Sequence, residues 1–268
     1  MKPPLTYYGG KQMLSKHIIS IIPKHHLYCE PFFGGGAVFF AKEPSAVEII
    51  NDTNGELINF YKVLKTKFSQ LEKEISTTLH SREYHQAAKI ALGYPHLFDE
   101  IKRAWAVWTS ANQSFGSMLG STWRCDFKQN TSAKQLRNKR ENFTNEYAKR
   151  LEQTQIECRD ALDVIRLTDS KETFFYIDPP YYNSNMGHYK GYSQENFEKL
   201  LKALSEIKGK FLLSSYPSEI LDKYIKKHKW YTKEIDKQLC LSAYKIIKKK
   251  RKIEVLTGNY LFPEKFCQ

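Results

Sequence analysis

The sequence predicts an α/β fold: a mainly parallel sheet with one antiparallel strand, carrying an inserted, mostly helical subdomain over residues 80–150. Three observations lead there. Short apolar runs recur along the 268 residues, and most are followed by a stretch of helical period, the pattern of parallel strands joined by crossover helices. The last two runs are separated only by a polar stretch, Ser242 to Lys252, so they are expected to pair as a hairpin, with the antiparallel strand at or near one sheet edge. Between about His80 and Arg150 the alternation stops for far longer than one crossover helix needs.

The elements follow in order. Leu27 to Phe32 is a strand ending in Gly34-Gly35-Gly36, and Ala46 to Ile50 is a second, ending at Asn51-Asp52. Leu57, Ile58, Tyr61, Leu64, Phe68, Leu71 and Ile75 are spaced three or four apart, as one helix with a buried face requires. Within the insertion, Leu97, Ile101, Trp105 and Trp108 form a further helical stripe. Later strands are expected over Gln155 to Asp160, Thr173 to Asp178, Lys210 to Tyr216, Trp230 to Leu239 and Ile253 to Leu261. Phe197, Leu200, Leu201, Leu204 and Ile207 mark a helix capped by Ser193, and Ile220, Leu221, Tyr224 and Ile225 mark another.

Composition narrows the function. With 41% apolar and 26% charged residues the chain is an ordinary globular protein. No apolar run approaches the roughly 20 residues that span a bilayer, and no apolar signal core follows Met1, so a cytosolic protein is expected. Cys29, Cys125, Cys158, Cys240 and Cys267 are scattered, with no Cys-x-x-Cys pair, and neither a disulfide frame nor a metal site is expected. The net charge of +13 and the pI near 9.3 attract polyanions. Twelve Lys and Arg against six Asp and Glu fall within 80–150, so nucleic-acid contact is expected there, through Arg124, Lys128, Arg137, Lys139 and Arg140. The run Lys248 to Lys252, with Lys249 and Lys250 at its centre, is a second phosphate-contacting candidate, or a merely solvated turn. The Gly-punctuated stretches Asn112 to Ser117 and Gly120 to Arg124 carry side chains that read base edges or wedge between bases. An ordinary polar loop is the alternative.

The most informative residues are Asp178-Pro179-Pro180-Tyr181, directly after the apolar strand Phe174 to Ile177. Side chains at the C-terminal end of a parallel strand project into the crevice where open sheets bind ligands. The two prolines give up their backbone donors and hold an extended turn, leaving carbonyls as fixed acceptors. This suits an amino group attached to an aromatic ring. Such an amine is a poor nucleophile until acceptors draw its hydrogens out of plane, and Asp178 and the Pro179 carbonyl are two acceptors. Tyr181 offers a face for stacking. The alternative is a strand-ending turn with a satisfied Asp.

A glycine cluster between strand and helix admits a ligand close to the backbone. Phe32-Phe33-Gly34-Gly35-Gly36 is neither Gly-x-Gly-x-x-Gly nor a Gly-Lys-Ser/Thr phosphate loop, so a pyrophosphate is not the expected guest. Asp52 stands where nucleotide-binding folds keep an acid for ribose hydroxyls. A glycine loop and a ribose acid without phosphate machinery fit an adenosyl cofactor lacking phosphates.

These pieces resemble the adenine-specific DNA methyltransferases of the Dam type, the D12 class, alpha group. Tyr7-Tyr8-Gly9-Gly10-Lys11 looks like the N-terminal cofactor segment, with Tyr-Tyr where the family often has Trp-Ala. Tyr28 to Gly36 looks like the glycine-rich loop, Asn51-Asp52 like the acid after it, and Asp178 to Tyr181 like the catalytic tetrapeptide. Lys252-x-Glu254-Val255-Leu256 to Asn259-Tyr260 resembles the closing strand. The likeness covers nearly the whole chain except the insertion.

The resemblance implies a Rossmann-like class I methyltransferase sheet and S-adenosylmethionine as cofactor, bound by Tyr7, Lys11, Glu30, Phe32, Gly34, Asp52, Asp160 and Asp178. Lys11 would lie near the cofactor carboxylate and Asp160 near its adenine. It also implies double-stranded DNA as partner, read by residues 80–150 as a target-recognition subdomain, while 1–79 and 151–268 form the catalytic domain. A cognate restriction endonuclease is a companion that the resemblance allows. An RNA adenine-N6 methyltransferase and a catalytically silent nucleic-acid-binding module on this fold remain the rival readings.

Overall fold

A computed structural model describes residues 1–183, 192–238 and 251–263. The chain runs through α1 (Ser15–Ser20), β1 (Leu27–Glu30), α2 (Ala37–Ala41), β2 (Val47–Asn51), α3 (Gly55–Thr66) and α4 (Phe68–Ser76). There follow α5 (Arg82–Gly93), α6 (Glu100–Gln113), α7 (Thr131–Glu141), α8 (Glu146–Leu151), β3 (Thr154–Glu157), α9 (Ala161–Thr168) and β4 (Thr173–Ile177). The last elements are α10 (Gln194–Glu206), β5 (Lys210–Ser215), α11 (Glu219–His228), β6 (Tyr231–Gln238) and β7 (Arg251–Gly258).

The strands form a seven-stranded sheet of order β3-β2-β1-β4-β5-β7-β6. β1 pairs with β4, β2 with β3 and β4 with β5, all parallel. β7 runs antiparallel to both β5 and β6, with Ser214 opposite Leu256 and Tyr231 opposite Gly258. The expected hairpin therefore forms, and its second strand inserts between β5 and the edge. All five residues of β4 are buried, which is why Thr-Phe-Phe-Tyr-Ile reads as a continuous apolar run rather than an alternation.

The chain divides into two compact units. One comprises Met1–Ile19, Phe33–Pro44 and Glu48–Arg159, and so contains the whole of 80–150. In its core α3 and α5 pack against α6, burying Phe39, Phe40, Phe60, Tyr61, Trp105 and Trp108. Trp105 donates its indole N–H to Thr78 Oγ1 at 2.7 Å, satisfying a polar atom that burial would otherwise penalise. The other unit comprises Ser20–Phe32, Ser45–Val47 and Asp160–Gln268, and its core holds Tyr28, Phe174, Phe175, Leu200, Leu201 and Phe211.

Local chemistry sets the helix starts. Asn54 accepts from the amides of Glu56 and Leu57, Asp99 from Lys102, Ser193 from Asn196 and Ser218 from Leu221, each supplying an acceptor to a helix's unpaired first turn. Three expectations need correction. The stripe from Leu57 to Ile75 is two helices, broken at Lys67, whose backbone leaves helical geometry at φ −135°, ψ 38°. Leu97 lies in a separate single turn, Pro95–Leu97, and is 68% exposed; the Asp99 cap starts α6 beyond it. The strand expected to reach Asp160 stops at Glu157, because Asp160 caps α9 instead, accepting from the Leu162 amide at 2.8 Å. Leu239 and most of the polar stretch after Ser242 lie outside the described residues. Among the described residues no helix is long and apolar enough to cross a membrane.

Candidate active site

In the first unit the glycine loop is held from several sides. Gly34 and Gly36 have φ of 49° and 64°, a region side-chain-bearing residues avoid. A Cβ on Gly35 would come within 2.8 Å of Tyr7 Cβ, so the N-terminal segment lies against this loop because no side chain intervenes. The Gly34 amide donates to Asp52 Oδ2 at 2.9 Å, and the Asn54 amide donates to Asp52 Oδ1 at 2.9 Å. Tyr61 donates its hydroxyl to the Gly34 carbonyl at 2.9 Å. Burial raises the Asp52 carboxyl above its ordinary value, against the lowering effect of those two amides. A carboxylate offers about four lone-pair sites, and the two amides occupy only half of that capacity.

Lys11 is 3% exposed, and its ammonium donates to the Gly9 carbonyl at 3.2 Å. It is therefore no ordinary solvated lysine. Asn51, at the end of β2, exchanges two hydrogen bonds with the backbone of Arg159, 2.9 and 3.1 Å, and its carbonyl accepts from the Phe33 amide at 2.8 Å. This places Asn51 beside Asp52 as a second organiser of the loop.

In the second unit Glu30, at the end of β1, is buried and accepts from the Tyr28 hydroxyl at 2.5 Å. Phe32 meets the ring of Tyr192 edge-on at 6.4 Å. The Tyr192 hydroxyl is buried without a hydrogen-bond partner among the described residues. Burial, and then the charge of Asp160, raise the Tyr192 phenol far above its ordinary value. A buried hydroxyl lacking a partner is costly, and it calls for one of the right chemistry. With the exposed Asp160 and the Phe32 ring it makes a donor, acceptor and aromatic surface that fits a purine.

Asp178 follows β4 and is half-buried, Pro179 is buried, and Pro180 and Tyr181 are half-buried. The Tyr181 hydroxyl lies 3.0 Å from Ser214 Oγ, 3.3 Å from Asp178 Oδ1 and 3.4 Å from Glu254 Oε1. Its ring meets Tyr216 edge-on at 4.4 Å. Hydroxyl and ring contact together fix the plane of Tyr181. Burial first, then the Asp178 and Glu254 charges, push its phenol well above the ordinary value. Tyr192, Ser214 and Tyr216 carried no signal in the sequence, since their roles depend on which strands are neighbours.

The basic residues divide. Lys128 is exposed, and Arg137 is exposed beside Glu141 at 3.6 Å. Three others have partners within the same unit. Arg140 donates to the carbonyls of Ser76 and Thr78, at 3.2 and 3.0 Å, beyond the end of α4. Arg124 donates to the Asn112 carbonyl at 3.3 Å, and burial lowers its guanidinium. Lys139 bonds Thr6 and Asn112, while burial and then the Arg124 charge push its ammonium down to about 8. Lys249 and Lys250 lie outside the described residues. Within residues 80–150, half-buried Trp123 stacks on His80 at 4.9 Å under the guanidinium of Arg82, while Phe115 and Phe127 are 64% and 93% exposed.

The family described as D12 class N6 adenine-specific DNA methyltransferase matches residues 7–254. The chain belongs to this family. Type II methyltransferase M1.LlaDCHI of Lactococcus lactis subsp. cremoris is 42% identical over 84 residues, 31% of this chain and 28% of the relative. Type II methyltransferase M.MjaIII of Methanocaldococcus jannaschii is 29% identical over 205 residues, 68% of this chain and 69% of its own. The DNA N-6-adenine-methyltransferase of Escherichia phage P1 is 31% identical over 99 residues, 36% of this chain and 13% of its own. The matches thus span 28% and 13% of the lactococcal and phage proteins, but more than two thirds of the archaeal one. A family matched from Tyr7 to Glu254 includes every residue of the glycine loop, the Asp178 turn and the Tyr181 contacts.

Proposed function

We propose that the chain transfers a methyl group from S-adenosylmethionine to N6 of an adenine flipped out of duplex DNA, at a particular sequence. The observation that carries this reading is the end of β4. There an acid and a donor-free Pro-Pro turn are followed by a tyrosine held by its hydroxyl. Asp178 and the Pro179 carbonyl accept the two N6 hydrogens, pulling them from the ring plane so that the nitrogen lone pair localises. Tyr181 stacks on the base, in a plane set by Tyr216 and Ser214. Asp178 takes the proton that N6 sheds, or passes it to water. When bound, S-adenosylmethionine supplies the electrophilic methyl. Its methionine end would be held by Tyr7 and Lys11, its ribose by Asp52 beside Gly34, and its adenine by Phe32, Asp160 and Tyr192, with Glu30 at the end of β1. The chain's contribution is positioning and fixed electrostatics rather than a side-chain nucleophile.

Residues 80–150 would engage DNA as the target-recognition subdomain, with Lys128 and Arg137 on phosphates and Lys249 and Lys250 as further contacts. The cytoplasm is the compartment that fits such a substrate, and a cognate restriction endonuclease would be its companion. The test offers plasmid DNA and transfer RNA with methyl-labelled cofactor and identifies the product nucleoside. N6-methyladenine in DNA is expected; transfer to RNA alone would reassign the substrate. Asp178→Ala should lower turnover by about 1,000-fold with DNA affinity unchanged, and wild-type turnover in that variant would remove Asp178 from the chemistry.

A further inference from the structure

We infer that Glu254 is a positioning residue for Asp178, acting through the hydroxyl of Tyr181. The inference rests on the methyl-transfer reading above and adds a residue to it. Ser214 on β5 is opposite Leu256 on β7, and Glu254 is two residues from Leu256, so side-chain alternation brings Ser214 and Glu254 to the same sheet face. From that face both reach one oxygen. Tyr181 Oη is 3.0 Å from Ser214 Oγ and 3.4 Å from Glu254 Oε1, and 3.3 Å from Asp178 Oδ1.

Ser214 and Glu254 are 0% and 4% exposed, and the next two residues of β7, Val255 and Leu256, are 6% and 0% exposed. A carboxylate in such surroundings pays a desolvation cost that a well-packed apolar side chain would not. A phenol has one proton to give and lone pairs to accept with, so Asp178 Oδ1 and Glu254 Oε1 compete for that one proton, and the pull of Glu254 limits how Asp178 is drawn to the hydroxyl. Asp178 Oδ1 meets the oriented phenol, and the plane of its carboxylate follows. The glutamate thus aims the acceptor without touching the base.

Four variants test this: Glu254→Ala, Glu254→Gln, Tyr181→Phe, and the double variant Glu254→Ala with Tyr181→Phe. Tyr181→Phe keeps the stacking ring and removes only the hydroxyl. Single-turnover methyl transfer to plasmid DNA is measured with cofactor affinity by calorimetry, DNA affinity by fluorescence anisotropy, and melting temperature. Glu254→Ala and Tyr181→Phe should each slow transfer about 10- to 100-fold, the scale of a small misplacement of a reacting group, with both affinities within about twofold of wild type. Glu254→Gln, which keeps an oxygen for the phenol, should recover most of the rate. Because both residues act through one hydroxyl, the double variant should be no slower than Tyr181→Phe.

A wild-type rate in Glu254→Ala, or losses that multiply in the double variant, would overturn the inference. So would equal defects in Glu254→Gln and Glu254→Ala. If Glu254→Ala does not fold, Glu254→Gln and Tyr181→Phe still decide it: a full rate in Tyr181→Phe is fatal. Wild-type protein that methylates no DNA would overturn the functional reading and this inference together, whereas active wild type with unaffected variants overturns this inference alone.

Discussion

At β2 the carboxylates of Glu48 and Asp52 meet cations and backbone amides, whereas at the end of β4 Asp178 and Glu254 both reach the single hydroxyl of Tyr181. Glu48 receives Lys42 at 2.6 Å and both terminal nitrogens of Arg150, one of them at 2.9 Å. That guanidinium also donates to the Phe39 carbonyl at 3.0 Å and lies 3.7 Å above the Phe39 ring. Burial alone would raise Glu48, yet the hydrogen bonds from Arg150 and Lys42 prevail and hold its carboxyl below the ordinary range. Around Tyr181, by contrast, two acids and a serine share a phenol whose one proton can go only one way at a time. The first arrangement fixes structure and resists titration. The second leaves the placing of one proton open to adjustment.

The largest effect on this contrast should come from Glu48→Ala, which leaves Lys42 and Arg150 buried without their shared partner. A loss of about 3–5 kcal/mol is expected in urea denaturation; a loss below about 1 kcal/mol would put this cluster in the weak class of exposed ion pairs. The pH dependence sharpens the point. Because the folded-state value of Glu48 is lowered, its stabilisation is fully present above the ordinary carboxylate value. It is lost as pH falls through the lowered one. Urea midpoints measured from pH 7 downwards should fall less steeply in Glu48→Gln than in wild type.

Asp52→Ala should come next. It strips the acceptor from the Gly34 and Asn54 amides, costing about 1–3 kcal/mol, and should weaken cofactor binding about tenfold or more in calorimetry, which corresponds to about 1.4 kcal/mol. Unchanged cofactor affinity would make Asp52 a loop anchor alone. The smallest effects concern the basic side chains. Lys128→Ala should reduce the salt dependence of DNA binding by about one ion, whereas Lys139→Met should leave it unchanged. Lys139 should instead make wild-type stability rise as pH climbs from about 8 towards the ordinary lysine value, because over that range the unfolded chain holds a proton that the folded one has lost. The Met variant should lack this slope.

What could be read from the sequence follows from the range of the interactions involved. Asp178 to Tyr181 was legible because acid, prolines and aromatic are contiguous and follow an apolar run. The glycine loop and Asp52 were legible because loop and acid each close a strand. Ser193 as a cap was legible because capping spans three residues. Glu254 appeared only as part of a closing-strand likeness, without a role, because its meeting with Tyr181 needs β7 to slot in beside β5. Tyr192 was missed for a related reason, since its ring contact with Phe32 and the reach of the Asp160 charge join distant parts of the chain. Charge counting found a basic region but not the fate of each head. Only the folded chain turns Arg140 towards the Ser76 and Thr78 carbonyls and Lys139 towards Thr6.

The four tryptophans are unequally placed: Trp105 and Trp108 are about 1% exposed or less, Trp230 is 8% exposed, and Trp123 is half-buried on His80. A soluble quencher should therefore extinguish the emission of Trp123 first. The segment that joins Asn112 to Arg124 thus carries its own optical label, able to report a change in its surroundings without any dye attached.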